Sequence, residues 1–453
     1  MDRQRNRTEK KISSALYYHQ TRYNEWADQR LCLLVAGQKC SGKTTAVLNG
    51  LEHKKHFYFS FKGVCSELGK KLLFEDLTAL QIQPANDCWA AIFDGLNQLA
   101  KTRKIFIFDD LDEIVKEKDF AQSFQAYIDD PKRNRVFMVL IHTTGKSLAP
   151  LTIPCRTVET KYQSIAEMKK AHPKRTGTEL VELFTLSGGI PKIIAEFQDD
   201  LTIEENLKQL IASDSAFMTF VWEVLSFHYR RPETYAFILH ALALGNNRIS
   251  EVGKFTGYPY NKCDKYIKSL IEIGLVKAVS KDGKTEYEII NSYFAIWFRY
   301  IYPNQSKIAT GAFFDKSFAE MLDNIRTADV PTAFTTACFE TLRKRVSYDL
   351  SVKLTNTLVY KPVTVKLKNE DYTFDFAGRD NGKAVFVKIF HDESLTVGKE
   401  EYEKLERAAA RCQPLSDSFI YIFAKRRFSD FLVHEASFGI VKLFNLDRLR
   451  FRE

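Results

Sequence analysis

The sequence predicts an α/β protein of several domains. Three observations carry this. The first third alternates apolar runs of strand length with helix-patterned segments. The middle is helical with one hairpin, and the last third returns to strands alternating with helices. The chain has 453 residues, and at about 150 residues per domain that is about three domains. Apolar residues make up 45% and charged residues 27%, the composition of a folded chain able to bury its own cores.

The first element is the apolar run Leu31 to Ala36, a strand. It feeds directly into Gly37-Gln38-Lys39-Cys40-Ser41-Gly42-Lys43-Thr44-Thr45, followed by a helix through Ala46-Val47-Leu48. This is the G-x-x-x-x-G-K-[ST] phosphate-loop pattern in its required strand–loop–helix setting. Gly37 and Gly42 let the backbone turn its N–H groups inward toward phosphate oxygens. The helix start adds its unpaired N–H groups. Lys43 supplies a positive charge at the β- and γ-phosphates, and the Thr44 hydroxyl can ligate Mg²⁺. Residues 37–45 are therefore the expected nucleotide site, with Thr45 packing or bonding locally. ATP with Mg²⁺ is the expected cofactor.

Phe57 to Ser60 reads as a second strand. Helices are expected over 68–80, 88–100 and 120–127. Ile105 to Phe108 reads as a buried parallel strand ending in Asp109-Asp110. An acid at the end of a strand adjacent to the loop would hold the metal, and Asp109 fills that place. Asp110 would polarise the attacking water and, with Lys43, forms the catalytic pair. Many ATPases place Glu there, so slow turnover is expected. Asp112 and Glu113 either join this acidic cluster or favour the next helix start. Arg135 to Ile141 is the next strand, ending in His142-Thr143-Thr144. Thr143 or Thr144 is favoured over His142 to sense the γ-phosphate, since a hydroxyl donates at any pH; a helix-cap role is the alternative.

After Arg156 the pattern reads as helical. Ser187 to Lys192 interrupts two helices as a turn, with Pro191 suited to the first turn of the second. Helices over 233–244, 249–255 and 260–273, then strands over 274–279 and 285–289, predict a winged helix-turn-helix. Lys262, Lys265 and Lys268 recur along its third helix, and Lys277, Lys281 and Lys284 decorate the hairpin. That layout suits phosphate contacts in a DNA groove. Asp264, Glu272 and the lack of Arg on that helix favour an intramolecular or oligomer contact instead.

The ordered motifs resemble the archaeal-type ATPases of the STAND branch of the AAA+ superfamily. The resemblance runs from Asn6-Arg7-Thr8-Glu9 through the loop at 37–44 and Phe108-Asp109-Asp110. It continues through Arg156, Gly188-Gly189-Ile190-Pro191-Lys192 and the aromatic stretch Tyr293 to Asn304. It implies an ATP-driven switch, often slow. It also implies that the Gly188–Lys192 segment opens a helix packing over the nucleotide. Arg156 would be a phosphate-sensing or structural arginine in such a protein.

The C-terminal strands over 372–376, 383–389, 418–423 and 440–444, with a helix over 400–412, resemble the PD-(D/E)xK nuclease-like domain often found at the C-terminus of this family. Asp375 matches its first acid, Lys388 its lysine and Glu340 its helical acid. The second acid should stand at position 386, where the chain has Phe386. A decayed, restriction-endonuclease-like fold is expected, used for packing or binding, with Asp392 or Glu393 as the conceivable displaced acids. The resulting division is 1–160 P-loop core, 161–225 helical lid, 226–305 winged helix-turn-helix and 306–453 degenerate nuclease-like domain.

Charge and cysteines bound the rest. Lys and Arg number 66 against 57 acids, a formal +9 that permits a nucleic-acid or acidic partner without specifying one. No run of 18 apolar residues suggests a membrane span, and the polar start MDRQRNRTEKK carries no secretory signal. The eight Cys form no C-x-x-C pair, so neither a zinc knuckle nor a disulfide framework is expected; a reducing cytoplasm is. The competing readings are a regulatory ATPase working on a protein partner or as a homo-oligomer, a DNA-processing enzyme of defence or mobile-element biology, and a nucleotide-binding scaffold that hardly turns over.

Overall fold

The computed structural model describes residues 32–52, 54–102, 104–130, 136–281, 283–338, 361–367, 371–380, 383–392, 395–425 and 427–445. The expected roles of Asn6 to Glu9, Glu340 and Glu393 lie outside the described residues. The chain forms two compact units. One comprises 1–163, 190–196 and 214–303; the other comprises 164–189, 197–213 and 304–453. Segment 161–225 thus contributes to both.

The first unit is built on five strands: β1 (Cys32–Gly37), β2 (Phe57–Ser60), β3 (Ile105–Asp109), β4 (Phe137–Thr143) and β5 (Cys155–Thr160). All pair in parallel, in the order β2-β3-β4-β1-β5. Every residue of β3 is buried, as a parallel strand covered on both faces requires. Alternate side chains then serve different layers. Phe106 and Phe108 join an aromatic layer with Phe57, Phe59, Trp89, Phe120 and Phe124. Ile105 and Ile107 join an aliphatic layer with Leu33, Val35, Val47, Val139 and Ile141. Eight of the chain's 35 Phe gather in this aromatic layer.

β5 corrects the sequence reading, which turned helical after Arg156. Its segment Cys155 to Thr160 has a single buried aliphatic, Val158, and otherwise exposed or polar positions. That is the pattern of an edge strand, too weak to stand out in the sequence. The order of the strands corrects a second point. β3 is not adjacent to β1; β4 lies between them.

Helices Ala216–His228, Pro232–Ala243, Ile249–Thr256 and Tyr260–Glu272 follow in the same unit, then the antiparallel hairpin of β6 (Val276–Lys281) and β7 (Lys284–Ile289). Gly257, at φ 73°, ends the second of the three helices before the hairpin. The aromatic stretch after the hairpin begins as helix Ser292–Ile296, then widens to a π turn over Trp297–Ile301. Tyr293 is fully buried, and its hydroxyl donates to the Phe217 carbonyl at 2.7 Å.

In the second unit, helices Ile165–Ala171, Gly177–Ser187 and Ile203–Ala212 each open with a capping box: Ser164 with Glu167, Thr176 with Glu179, Thr202 with Glu205. Its sheet contains β8 (Lys361–Lys366), β9 (Asp371–Asp380), β10 (Lys383–Phe390), β11 (Ser418–Ala424) and β12 (Val441–Asn445), in the order β12-β11-β10-β9-β8. β10, β11 and β12 are parallel; β8 and β9 are antiparallel. β8 was not foreseen. Phe374, Phe386, Ile420 and Ile422 form the core with Leu405 and Ala409 of helix Lys399–Cys412. Among the described residues, no single helix is long and apolar enough to cross a membrane.

Candidate functional site

The site begins where β1 ends. A Cβ on Gly37 would lie 2.0 Å from Thr160 Oγ1 and 2.7 Å from both Ser41 Oγ and the Thr160 carbonyl oxygen, so only glycine fits. The two hydroxyls are bonded across the loop base, with 2.6 Å between Ser41 Oγ and Thr160 Oγ1. The Ser41 amide returns to the Gln38 carbonyl at 3.2 Å. Cys40 (φ 57°) and Gly42 (φ 79°) take left-handed conformations. At Gly42 this is where glycine carries no steric penalty, and the helix Lys43–Gly50 starts immediately after it.

Lys43 is buried and folds back over the loop, donating to the Gly37 carbonyl at 3.1 Å and the Gln38 carbonyl at 2.9 Å. Burial lowers the pKa of its ammonium, while Asp109, Asp112 and Asp110 work against that shift. Thr44 Oγ1 donates to Asp109 Oδ2 at 2.5 Å, across the interposed β4. Tyr58 Oη donates to the same carboxylate oxygen at 3.0 Å, and the Asp110 amide donates to the other at 2.9 Å. Asp110 has φ 52°, and its Oδ2 accepts from Ser60 Oγ at 3.0 Å. Burial, and then the charge of Asp109, push the Asp110 carboxyl above the usual aspartate range.

Asp112 does more than favour a helix start. It is 3% exposed, and its Oδ1 accepts from the Thr143 amide at 3.2 Å with His142 Nδ1 at 3.6 Å. Burial opposes its ionisation, but the nearby His142 ring and the hydrogen bond from the Thr143 amide outweigh it and hold its pKa low. Asp112 thus fixes the end of β4, the strand end read as a phosphate sensor. Thr143 is buried there, in register with Gly37, and the Thr144 amide donates to the Gly37 carbonyl at 3.0 Å.

Residues on both sides hold the loop. Gln38 Nε2 donates to the Gly274 carbonyl at 2.9 Å, just before β6. Tyr162 Oη donates to the Lys39 carbonyl at 3.2 Å. Lys192, in the Gly-Gly-Ile-Pro-Lys segment, pairs with Glu223 at 2.5 Å. The Cys40 thiol has its pKa raised by burial, with Lys192 the strongest opposing charge, so that segment is electrostatically coupled to the loop.

Two expected participants stand apart. Thr45 is exposed instead of packing locally. Arg156 is exposed on β5 opposite Leu33, four residues before Thr160, the residue that meets Gly37. At about 3.3 Å per strand residue, that is about 13 Å from the loop end. The sequence reading missed Tyr58, Ser60, Thr160 and Tyr162. The strand holding Tyr58 and Ser60 was legible, but its pairing with β3, which sets Ser60 opposite Asp109, was not.

The residues fit a magnesium-bound triphosphate. Lys43 bonds across the loop to the Gly37 and Gln38 carbonyls, and the Thr44 hydroxyl meets the Asp109 carboxylate. Among the described residues, no group of three or more His, Cys, Asp or Glu could hold a metal. A cation at Thr44 and Asp109 would take its remaining ligands from phosphate and water, as Mg²⁺ does.

In the second unit, Lys388 Nζ lies 3.5 Å from Asp375 Oδ2 and donates to the Thr373 carbonyl at 2.9 Å. Asp375 Oδ2 also accepts from the Ile389 amide at 2.7 Å. Phe386 is 4% exposed and packs on Phe374 with ring centroids 4.8 Å apart. The position expected for an acid is core.

No protein-family model matches the chain. The uncharacterized protein MJECL04 of Methanocaldococcus jannaschii is 27% identical over 306 residues, covering 62% of this chain and 66% of that protein. A STAND protein with a tetratricopeptide repeat sensor, PH0952 of Pyrococcus horikoshii, is 14% identical over 71% of this chain and 53% of its own, with a TM-score of 0.25. A RuvB variant of Thermotoga maritima is 12% identical over 62% of this chain and 90% of its own, with a TM-score of 0.31. The chain thus spans 66% and 53% of the first two proteins. Likenesses this distant assign no family, and the functional reading rests on the loop and its acids.

Proposed function

We propose that the chain is a switch protein that binds ATP with Mg²⁺ and hydrolyses it slowly. The observation that carries this is the meeting of Thr44 and Asp109 beside a loop spanned by Lys43. Lys43 would exchange two neutral carbonyls for phosphate oxygens. Magnesium supplies charge neutralisation at the terminal phosphates, and Thr44 and Asp109 are the residues that would hold it. Tyr58 keeps Asp109 aimed at Thr44. Asp110 would accept the proton of an attacking water. Its raised pKa makes it a better base than a free aspartate, and Ser60 holds its orientation.

The contact of Gln38 with Gly274 supports a switch that works within the chain. It joins the phosphate loop to the turn between the third helix and the hairpin, the module read as a winged helix. Three of the six lysines singled out there are engaged within the module, which supports a protein contact better than a DNA groove. Lys268 is paired with Asp264 at 2.7 Å, Lys277 with Glu288 at 3.2 Å, and Lys262 sits 3.6 Å from the Tyr258 ring centroid. Packed Phe386 supports a binding or packing role for the second sheet. Measuring phosphate release by wild type, Lys43→Ala and Asp110→Asn tests the enzymatic reading. The two variants should fall to background, and equal release from all three would overturn it.

A further inference from the structure

The ammonium groups of two lysines at the phosphate loop, Lys39 and Lys146, are given no role in the arrangement above. Lys39 lies within the loop, and Lys146 lies in the turn after β4. That turn is held at the loop by the Thr144 amide on the Gly37 carbonyl and by the Lys146 amide on the Thr143 carbonyl at 3.2 Å. Each ammonium sits 4.3 Å from the centroid of the same ring, Phe227, so the two are at most twice that distance apart. Lys146 Nζ also donates to the Phe227 carbonyl at 2.7 Å. Phe227 is next to last in helix Ala216–His228.

The partners of these two ammonium groups are an aromatic face and a neutral carbonyl. Among the described residues, neither pairs with a carboxylate. Both are half-buried. Asp112 and Glu113 act on Lys146 only from beyond ion-pair distance, and a partly desolvated cation without a directly bonded carboxylate gains more from an incoming anion than an exposed, hydrated one does. The electrostatic consequence is visible next door. Burial, then Lys146 and Lys39, push the His228 imidazole down to about 4.

We propose that Lys39 and Lys146 recognise the terminal phosphate of a bound nucleoside triphosphate, leaving Phe227 to do so, and that they thereby distinguish triphosphate from diphosphate. This rests on the phosphate-loop reading above. The loop, Thr44 and Asp109 serve both nucleotides, whereas an additional phosphate reaching past Lys43 meets the turn after β4. Transfer of the lysines from Phe227 to phosphate frees the end of helix Ala216–His228, which leads into the three-helix module. The lysines would therefore both read the nucleotide and report it.

Calorimetric titration with ATP and with ADP, each with Mg²⁺, tests this on wild type, Lys146→Met, Lys39→Met, Lys146→Arg and Phe227→Leu. One charge-assisted bond to phosphate corresponds to about tenfold or more in affinity. Lys146→Met and Lys39→Met should each lose about that factor for ATP with ADP nearly unchanged. Lys146→Arg should recover most of the loss. Phe227→Leu, which releases both ammonium groups, should bind ATP more tightly. An unchanged ATP-to-ADP ratio in both methionine variants would overturn the proposal, as would equal weakening of the two nucleotides. Should Lys146→Met fail to fold, Lys39→Met and Phe227→Leu decide the matter. Failure of wild type to bind either nucleotide would instead contradict the phosphate-loop reading itself.

Discussion

Thr44 Oγ1, at the start of the helix that follows β1 and the loop, lies 2.5 Å from Asp109 Oδ2 at the end of β3, although β4 separates β1 from β3. The contact exists because two chain features converge. Gly42 turns the loop into a helix so that Thr44 faces back over the sheet, and β3 carries its acid to the same edge. Tyr58 then fixes the carboxylate from the far side. A hydroxyl and a carboxylate joined by one hydrogen bond are positioned to share a divalent cation.

Gly37 is the tightest point of the loop. Gly37→Ala should lower stability by about 1–3 kcal/mol, because the new methyl meets both Thr160 Oγ1 and the Thr160 backbone carbonyl. Thr160→Ala added to it should recover only part, since the carbonyl remains. Chemical denaturation of the two variants checks this, and full recovery would contradict the geometry.

The raised pKa of Asp110 sets a pH dependence for turnover. A carboxylic acid holding its proton cannot accept one from water, so activity falls as pH drops through the folded pKa. Burial places that point above the range of a free aspartate, and the Asp109 charge adds to this only where no cation neutralises it. A pH–rate profile should show its acid limb there. Ser60→Ala removes the one hydrogen bond that favours the carboxylate and should move the limb to still higher pH.

His228 makes a separate prediction for stability. Its folded pKa is depressed from 6.5 to about 4 by burial and by Lys146 and Lys39, with Asp112 opposing. The unfolded chain takes up a proton near 6.5 and the folded chain only near 4, so stability is lost as pH falls between those values. The shift corresponds to at most about 3 kcal/mol. Thermal melts across that window should be flatter in His228→Gln than in wild type.

Much of the first site was legible because its chemistry is local. The loop lies in one contiguous segment, and Asp109 and Asp110 end an unmistakable buried strand. What could not be read is set by long-range pairing. The interposition of β4, the anchors Tyr58 and Ser60, and the bond between Thr160 and Ser41 all depend on strand order, which no window of sequence contains. β5 was missed because an edge strand with one buried aliphatic carries almost no period. Asp112 stayed open between the acidic cluster and a helix start because its partner, the Thr143 amide, is 31 residues away.

Position 386, where the nuclease-like resemblance calls for an acid, holds a buried Phe386 packed on Phe374. Placing an acid there as Phe386→Glu would bury a carboxylate against Phe374 and the helix Lys399–Cys412. It should cost about 3 kcal/mol or more in stability. Nuclease activity should not appear. Plasmid cleavage with Mg²⁺ or Mn²⁺, alongside a melt of the variant, checks both halves.

The most direct test of the account is calorimetric titration of ATP in the presence and absence of Mg²⁺, on wild type, Lys43→Ala and Asp109→Asn. The account predicts magnesium-dependent binding by wild type, a large loss in Lys43→Ala, and binding by Asp109→Asn that no longer responds to magnesium. Absence of magnesium-dependent binding by wild type at millimolar ATP, or an Asp109→Asn variant with undiminished magnesium dependence, would contradict it.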